Sequence, residues 1–137
     1  MIGAWHSVVT GLPTLLVHLA LIAVLFAIGI FIYVQVTPYR EIQLIRDGNS
    51  AAAIVLGGQV LALAVPLGAM MANSVGFADI AVWGAITVIL QLLAFASVAL
   101  MIRHLPAAIE RGEIAPAIVL AVSQFVAGLL NAAAMSG

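Results

Sequence analysis

Four long apolar runs dominate this 137-residue chain, at 11–36, 51–72, 80–102 and 114–135. Each reaches the roughly 20 residues a helix needs to cross the hydrocarbon core of a bilayer. Lipid offers the backbone no hydrogen-bonding partner, so runs of this length are restricted to helices, which pair their own N–H and C=O groups. Composition leaves no soluble alternative. The chain is 66% hydrophobic and 7% charged, with a mean hydropathy of +1.31, against about 25% charged residues in an ordinary soluble domain. The expected fold class is therefore an all-α integral membrane protein with four transmembrane helices, forming a single domain over 1–137. The first run lacks a basic leader and is long for a signal peptide, so it is read as a helix of the mature protein.

Charge orients these runs. The chain has no lysine, and all four arginines fall in two of the three connections: Arg40 and Arg46 in the first, Arg103 and Arg111 in the third. Glu41, Asp47, Glu110 and Glu113 accompany them, while the middle connection (73–79) holds only Asp79. Short arginine-bearing loops stay on the cytoplasmic side. Two spans separate the two loops, so both are predicted on the cytoplasmic face, with both termini outside. A net charge of −1 gives no reason to expect a nucleic-acid partner. The absence of cysteine excludes disulfides and thiolate chemistry.

The halves resemble each other. Residues 45–56 align with 109–120 at an offset of 64, sharing Ile, Gly, two Ala, Ile, Val and Leu, and Ala69 and Met71 match Ala133 and Met135. The expected layout is two helical hairpins, about 11–73 and 77–137, related as parallel repeats about an axis along the membrane normal. In each charged loop a glycine, Gly48 or Gly112, stands where a short helix can end in the left-handed conformation. Asn49 or Ser50 is then placed to cap the next span. Ile42 and Ile45 are expected to rest at the headgroups while Arg40 and Arg46 stay wet. Glu41 and Glu110 read as solvated loop carboxylates paired with arginines, and Trp5, Tyr39 and Trp83 as interfacial anchors.

No Asp, Glu, Lys or Arg lies near the middle of a span, where proton-coupled transporters commonly place an ionisable residue. The polar residues there are amides. Gln59, Pro66 and Asn73 recur every seven positions, as do Gln124 and Asn131, and Gln91 sits mid-span in the third run. Two readings stand for this candidate intramembrane polar core: interhelical hydrogen bonding, which is favoured, or a polar path through the domain or an oligomer. Pro66 can kink its helix and free a carbonyl. Small residues at Gly58 and Ala62, at Ala64, Gly68 and Ala72, and at Gly128 and Ala132 permit close helix approach. His6, His18 and His104 fall at different depths and form no metal site. His18 reads as a hydrogen-bonded residue of the first span. No phosphate loop, nucleophile elbow, metal-binding helix motif or carboxylate pair is present, so neither an enzyme nor a cofactor is expected.

One set of residues carries a resemblance. Thr37, Pro38 and Tyr39 precede Glu41, the run 44–53 contains Arg46, Gly48, Asn49 and Ala51, and Pro66-Leu67, Trp83-Gly84 and Gln91 follow. The chain ends on Asn131, Ala132, Ala133 and Met135. This resembles the bacterial inner-membrane family of YjfL-like proteins, domain of unknown function 350, over nearly the whole chain. Gly112 is followed by Glu113 where the family often has asparagine. The resemblance implies a multi-pass plasma-membrane protein of duplicated two-helix units, encoded beside PspA-like phage-shock proteins and ATP-grasp ligases. The expected function is a membrane anchor or partner for a cytoplasmic peripheral protein, of PspA type, in envelope or membrane stress. Docking would use Arg40, Glu41, Arg46, Asp47, Arg103, Glu110 and Arg111. The alternative is an oligomeric channel or transporter for a small solute or ion.

Overall fold

A computed structural model describes residues 1–73 and 76–137; Ser74 and Val75, within the middle connection, lie outside the described residues. Six helices follow in order: α1 (Ile2–Val36), α2 (Glu41–Arg46), α3 (Ser50–Ala72), α4 (Phe77–Met101), α5 (Leu105–Glu110) and α6 (Ile114–Ser136). No strand occurs among the described residues. The helices α1, α3, α4 and α6 are long and apolar enough to cross a membrane.

The span limits read from hydropathy hold to within a few residues except at the start of α1, which begins at Ile2 rather than at residue 11. Hydropathy marks where the environment turns apolar, whereas a helix needs only an unbroken backbone ladder and satisfied side chains. Ser7 Oγ donates to the Gly3 carbonyl (3.0 Å) and Thr10 Oγ1 to the His6 carbonyl (2.7 Å), so these polar residues close on their own helix. At 1.5 Å per residue α1 is about 52 Å long, well beyond a hydrocarbon core of about 30 Å. Only Gly29 and Tyr33 of α1 are buried, both in its last third.

The helix directions follow from who touches whom. The α3–α6 pair is the most extensive interface. There Gly58 faces Ala121, and farther along Gly128 faces Ala62; contacts advancing together along both chains mean that α3 and α6 run parallel. A β-carbon at Gly58 would stand 2.6 Å from the Ala121 β-carbon, and one at Gly128 would overlap the Ala62 carbonyl oxygen. Both positions therefore require glycine for backbone approach. The other pair is parallel by the same logic, with Gly84 against Leu25 and Gly29 against Val88. Asn131 meets Thr87 and Gln91 meets Gln124 and Gly128, so α4 runs opposite to α6.

The apolar core is densest at the end carrying α2 and α5. Tyr33, Tyr39, Ala51, Ala52, Val55, Phe95, Val98, Leu105, Ile109, Ala117 and Leu120 form one buried cluster there. Leu67, Met70 and Ile80 form a smaller one at the opposite end. Outward-facing leucines such as Leu61, Leu93, Leu100 and Leu130 remain exposed on the bundle, as lipid contact requires.

Candidate functional site

At the charged end, α2 and α5 are short helices that lead into α3 and α6. Each stops in the same way. The Asn49 N–H donates to the Leu44 carbonyl (2.8 Å) and the Glu113 N–H to the Ala108 carbonyl (3.0 Å), across Gly48 at φ +87° and Gly112 at φ +76°. These are the glycine-terminated helix ends anticipated from sequence. Asn49 then does two things. Its Oδ1 accepts from the Ala52 N–H (2.9 Å), capping α3, while its Nδ2 donates to the carbonyls of Ile109 (2.8 Å) and Glu110 (3.2 Å) at the end of α5. One side chain thus ties the two charged loops together. Its counterpart Glu113 caps nothing; its carboxylate accepts from Arg111 Nε at 2.8 Å on the surface.

Replacing Asn49 with alanine removes both functions. Loss of an N-cap costs about 1–2 kcal/mol, and α5 also loses its tie. The expected result is lower bundle stability with faster amide exchange confined to 108–113 and the start of α3. Uniform exchange across the chain would contradict the tie.

The predicted docking residues divide. Arg40, Arg46, Asp47, Arg103, Glu110 and Arg111 are exposed, and Gln43 Nε2 donates to Asp47 Oδ1 at 3.1 Å. Glu41 is not among them. It has no solvent exposure, and neither carboxylate oxygen has a hydrogen-bond partner. The solvated, arginine-paired carboxylate expected at this position is therefore corrected. As the first residue of α2, its side chain turns back under the helix into the bundle, away from Arg40. Tyr39 is likewise core, at 3% exposure, and not an interfacial anchor; Trp5 and Trp83 are exposed as anchors should be. Ile42 is exposed, while Ile45 packs partly against the core.

Glu41 sits among hydroxyls. Tyr33, Thr37 and Tyr39 face it, but none within bonding geometry. Thr37 Oγ1 is engaged with the Val34 carbonyl (3.1 Å). Tyr33 meets Phe95 edge-on at 5.9 Å, and its hydroxyl accepts from Gln124 Nε2 at 2.9 Å. Burial pushes the Glu41 carboxyl up to about 8, against a smaller opposing pull from the Tyr39, Tyr33 and Thr37 hydroxyls. Burial, and then the neighbouring Glu41, also push the Tyr39 phenol up. Beside this group a cavity of about 500 Å³ opens outward, walled by Thr37, Tyr39, Arg40, Glu41, Gln43 and Arg46.

The amides lie deeper. Gln59, Gln91 and Gln124 are buried, as is Pro66, whereas Asn73 is exposed at the far helix end. Pro66 has no N–H for the carbonyl four residues back, that of Ala62. Gln91 Nε2 stands 3.3 Å from that freed oxygen. With the amide turned over, it instead donates to the Gln124 carbonyl (3.3 Å) and accepts from the Gly128 N–H (3.2 Å). The turned orientation pairs both amide atoms, whereas the first sets Oε1 against the Gln124 carbonyl oxygen and Nε2 against the Gly128 N–H, so the turned one is preferred; both fasten α4 to a neighbouring backbone. Asn131 Nδ2 donates to Thr87 Oγ1 at 2.9 Å. His18 Nδ1 lies 2.8 Å from the Thr14 carbonyl of its own helix, and its ring stacks on Phe77 at 5.4 Å. Tyr33 and Thr87 escaped sequence reasoning. The available signal was that a hydroxyl inside an apolar span needs a partner, and the amides supplied the candidates.

Four apolar helices capped at one end by charged loop helices define a multi-pass integral membrane protein. The chain belongs to the family described as Domain of Unknown Function (DUF350), which it matches over residues 7–135. It is 35% identical over 109 residues to the UPF0719 inner membrane protein YjfL of Escherichia coli K12, covering 80% of this chain and 83% of that protein, with the same figures for the O157:H7 relative. This is an inner membrane protein with four spanning helices. No solved structure matches it.

Proposed function

We propose that the protein is a non-enzymatic membrane platform that holds a cytoplasmic peripheral protein at the inner membrane through its charged end. The observation that carries this reading is the tie from Asn49, at the head of α3, to the end of α5, which joins the two loops that carry the exposed Arg40, Arg46, Arg103 and Arg111. Such a surface suits an acidic protein partner, a PspA-like protein being the candidate, with anionic lipid headgroups as local support. The reading places this end in the cytoplasm and both termini outside. It also treats the bundle as one domain of two parallel repeats, about 11–73 and 77–137. The bounds of α2 and α3 recur in α5 and α6 shifted by 64 residues, which supports the duplication.

Topology is tested first. Single cysteines at Ser7, Gln43, Ser74 and Ala108 are expected to react with an impermeant thiol reagent in intact cells at 7 and 74 only; external labelling at 43 would overturn the orientation. Replacing the four arginines by glutamine, in variants whose orientation is retained, is then expected to release the peripheral partner in affinity purification. Retention of every partner would refute docking. The rival reading, an oligomeric pore lined by Gln59, Gln91, Gln124 and Asn131, is weakened because Gln91, Gln124 and Asn131 each engage an amide N–H with a neighbouring helix. Flux of ions or polyamines through purified protein in liposomes would revive it.

A further inference from the structure

Glu41 is a buried acid that the docking surface does not use. Among the described residues, both Glu41 oxygens and the Tyr39 hydroxyl are buried without partners, as are Gln59 Oε1 and Gln124 Oε1 deeper in the bundle. While Glu41 is ionised its two oxygens can only accept, and the unpartnered Tyr39 hydroxyl nearby stands outside bonding geometry. Adding one hydrogen to Glu41 supplies a donor and removes an unpaired buried charge. The groups facing it are neutral: Tyr33 from α1, and Thr37 and Tyr39 from the α1–α2 connection. From α6, Gln124 reaches Tyr33. From α3, Ala51, Ala52 and Val55 bring apolar surface to the same cluster. On its own segment the charged neighbours Arg40 and Arg46 point to solvent. Among the described residues no trio of His, Cys, Asp or Glu gathers to hold a metal.

We infer that Glu41 is a reversible proton-binding site at the charged end of the bundle, whose proton, exchanged through the adjoining cavity, locks α2 onto the core. The bound proton sits on a Glu41 oxygen, with the Tyr39 and Tyr33 hydroxyls as the neighbouring relay atoms. Loss of the proton leaves a carboxylate among Tyr33, Tyr39 and the alanines of α3, and hydration of that charge requires α2 to lift away. The inference is independent of the docking reading and stands or falls on spectroscopy of the protein alone.

The test is infrared spectroscopy of ¹³C-glutamate-labelled protein in lipid nanodiscs between pH 4 and 10. The expected result is a protonated-carboxyl stretch still present at pH 7, lost in Glu41→Gln, with a midpoint near 8. That midpoint corresponds to an acid more than a thousandfold weaker than an ordinary glutamate near 4.3. The label reports only Glu41, Glu110 and Glu113, so the double variant Glu110→Gln, Glu113→Gln isolates Glu41 even if Glu41→Gln fails to fold. A cysteine placed at Ile45 is expected to gain thiol reactivity over the same pH interval, beyond the reagent's own pH dependence on an exposed cysteine at Gln43. A midpoint below 5.5 overturns the proposal. So does a midpoint that falls as sodium or potassium replaces choline, which would make this a cation site.

Discussion

Gly128→Leu is expected to separate α3 from α6 and destabilise the bundle by about 3 kcal/mol or more, the upper part of the range for overpacking. A β-carbon at Gly128 already collides with the backbone of Ala62, and backbone has no rotamer by which to yield. The cost is not confined to one contact. Close approach of α3 and α6 sets the position of Gln124 beside Tyr33 and of Gln91 beside Gly128, so forcing the helices apart breaks those hydrogen bonds too. Gly68 supplies the control: nothing stands within 4 Å of a β-carbon there, and Gly68→Leu is expected to stay within about 0.5 kcal/mol of the parent, as for other unconstrained surface positions. Reversible unfolding in mixed micelles measures both. Equal losses at 68 and 128 would show that α3 and α6 do not meet through this face.

The second large effect is a fall in stability as pH rises. Glu41 has a folded pKa of about 8, against 4.5 for the ordinary carboxyl. Between those values the folded chain holds a proton that the unfolded chain releases, so stability decreases with pH. This contribution is fully present below about 4.5, declines through the interval, and is lost once pH passes 8. The direction is opposite to that of a salt-bridged carboxylate, which loses stability on acidification. Thermal unfolding in nanodiscs should give a melting temperature that drops steadily from pH 5 to pH 8.5. Glu41→Gln keeps the shape and removes the titration, so its curve should be nearly flat over that range and lie well above the parent at pH 8.5. A parent curve that rises with pH would contradict the buried neutral acid.

Legibility differed sharply between neighbours. Gly48, Gly112 and Asn49 were readable because helix ends are local: a left-handed residue and an amide cap act within four residues of chain. Glu41 and Tyr39, in the same loop, were misread because they stand beside Arg40 in sequence, and adjacency along the chain says nothing about which way a side chain turns once α2 folds back on the bundle. The small-residue stripes show the same limit. Gly58, Ala62 and Gly128 bring two backbones together, while Ala64, Gly68 and Ala72, equally regular, are exposed. With alanine so common, periodicity marks a face as narrow but not as occupied.

By itself the sequence determined a four-span membrane protein with its arginines in two loops, because hydrocarbon admits no unpaired backbone and no unpaired charge, and both constraints are written in composition and order. Tertiary structure alone decided that Asn49 bridges the two loops, that Gln124 finds Tyr33, and that Glu41 is sealed beneath α2. Each of these joins residues distant in sequence or depends on the direction in which a helix turns, and the amphipathic signal that orients helices in water is nearly absent when almost every face is apolar.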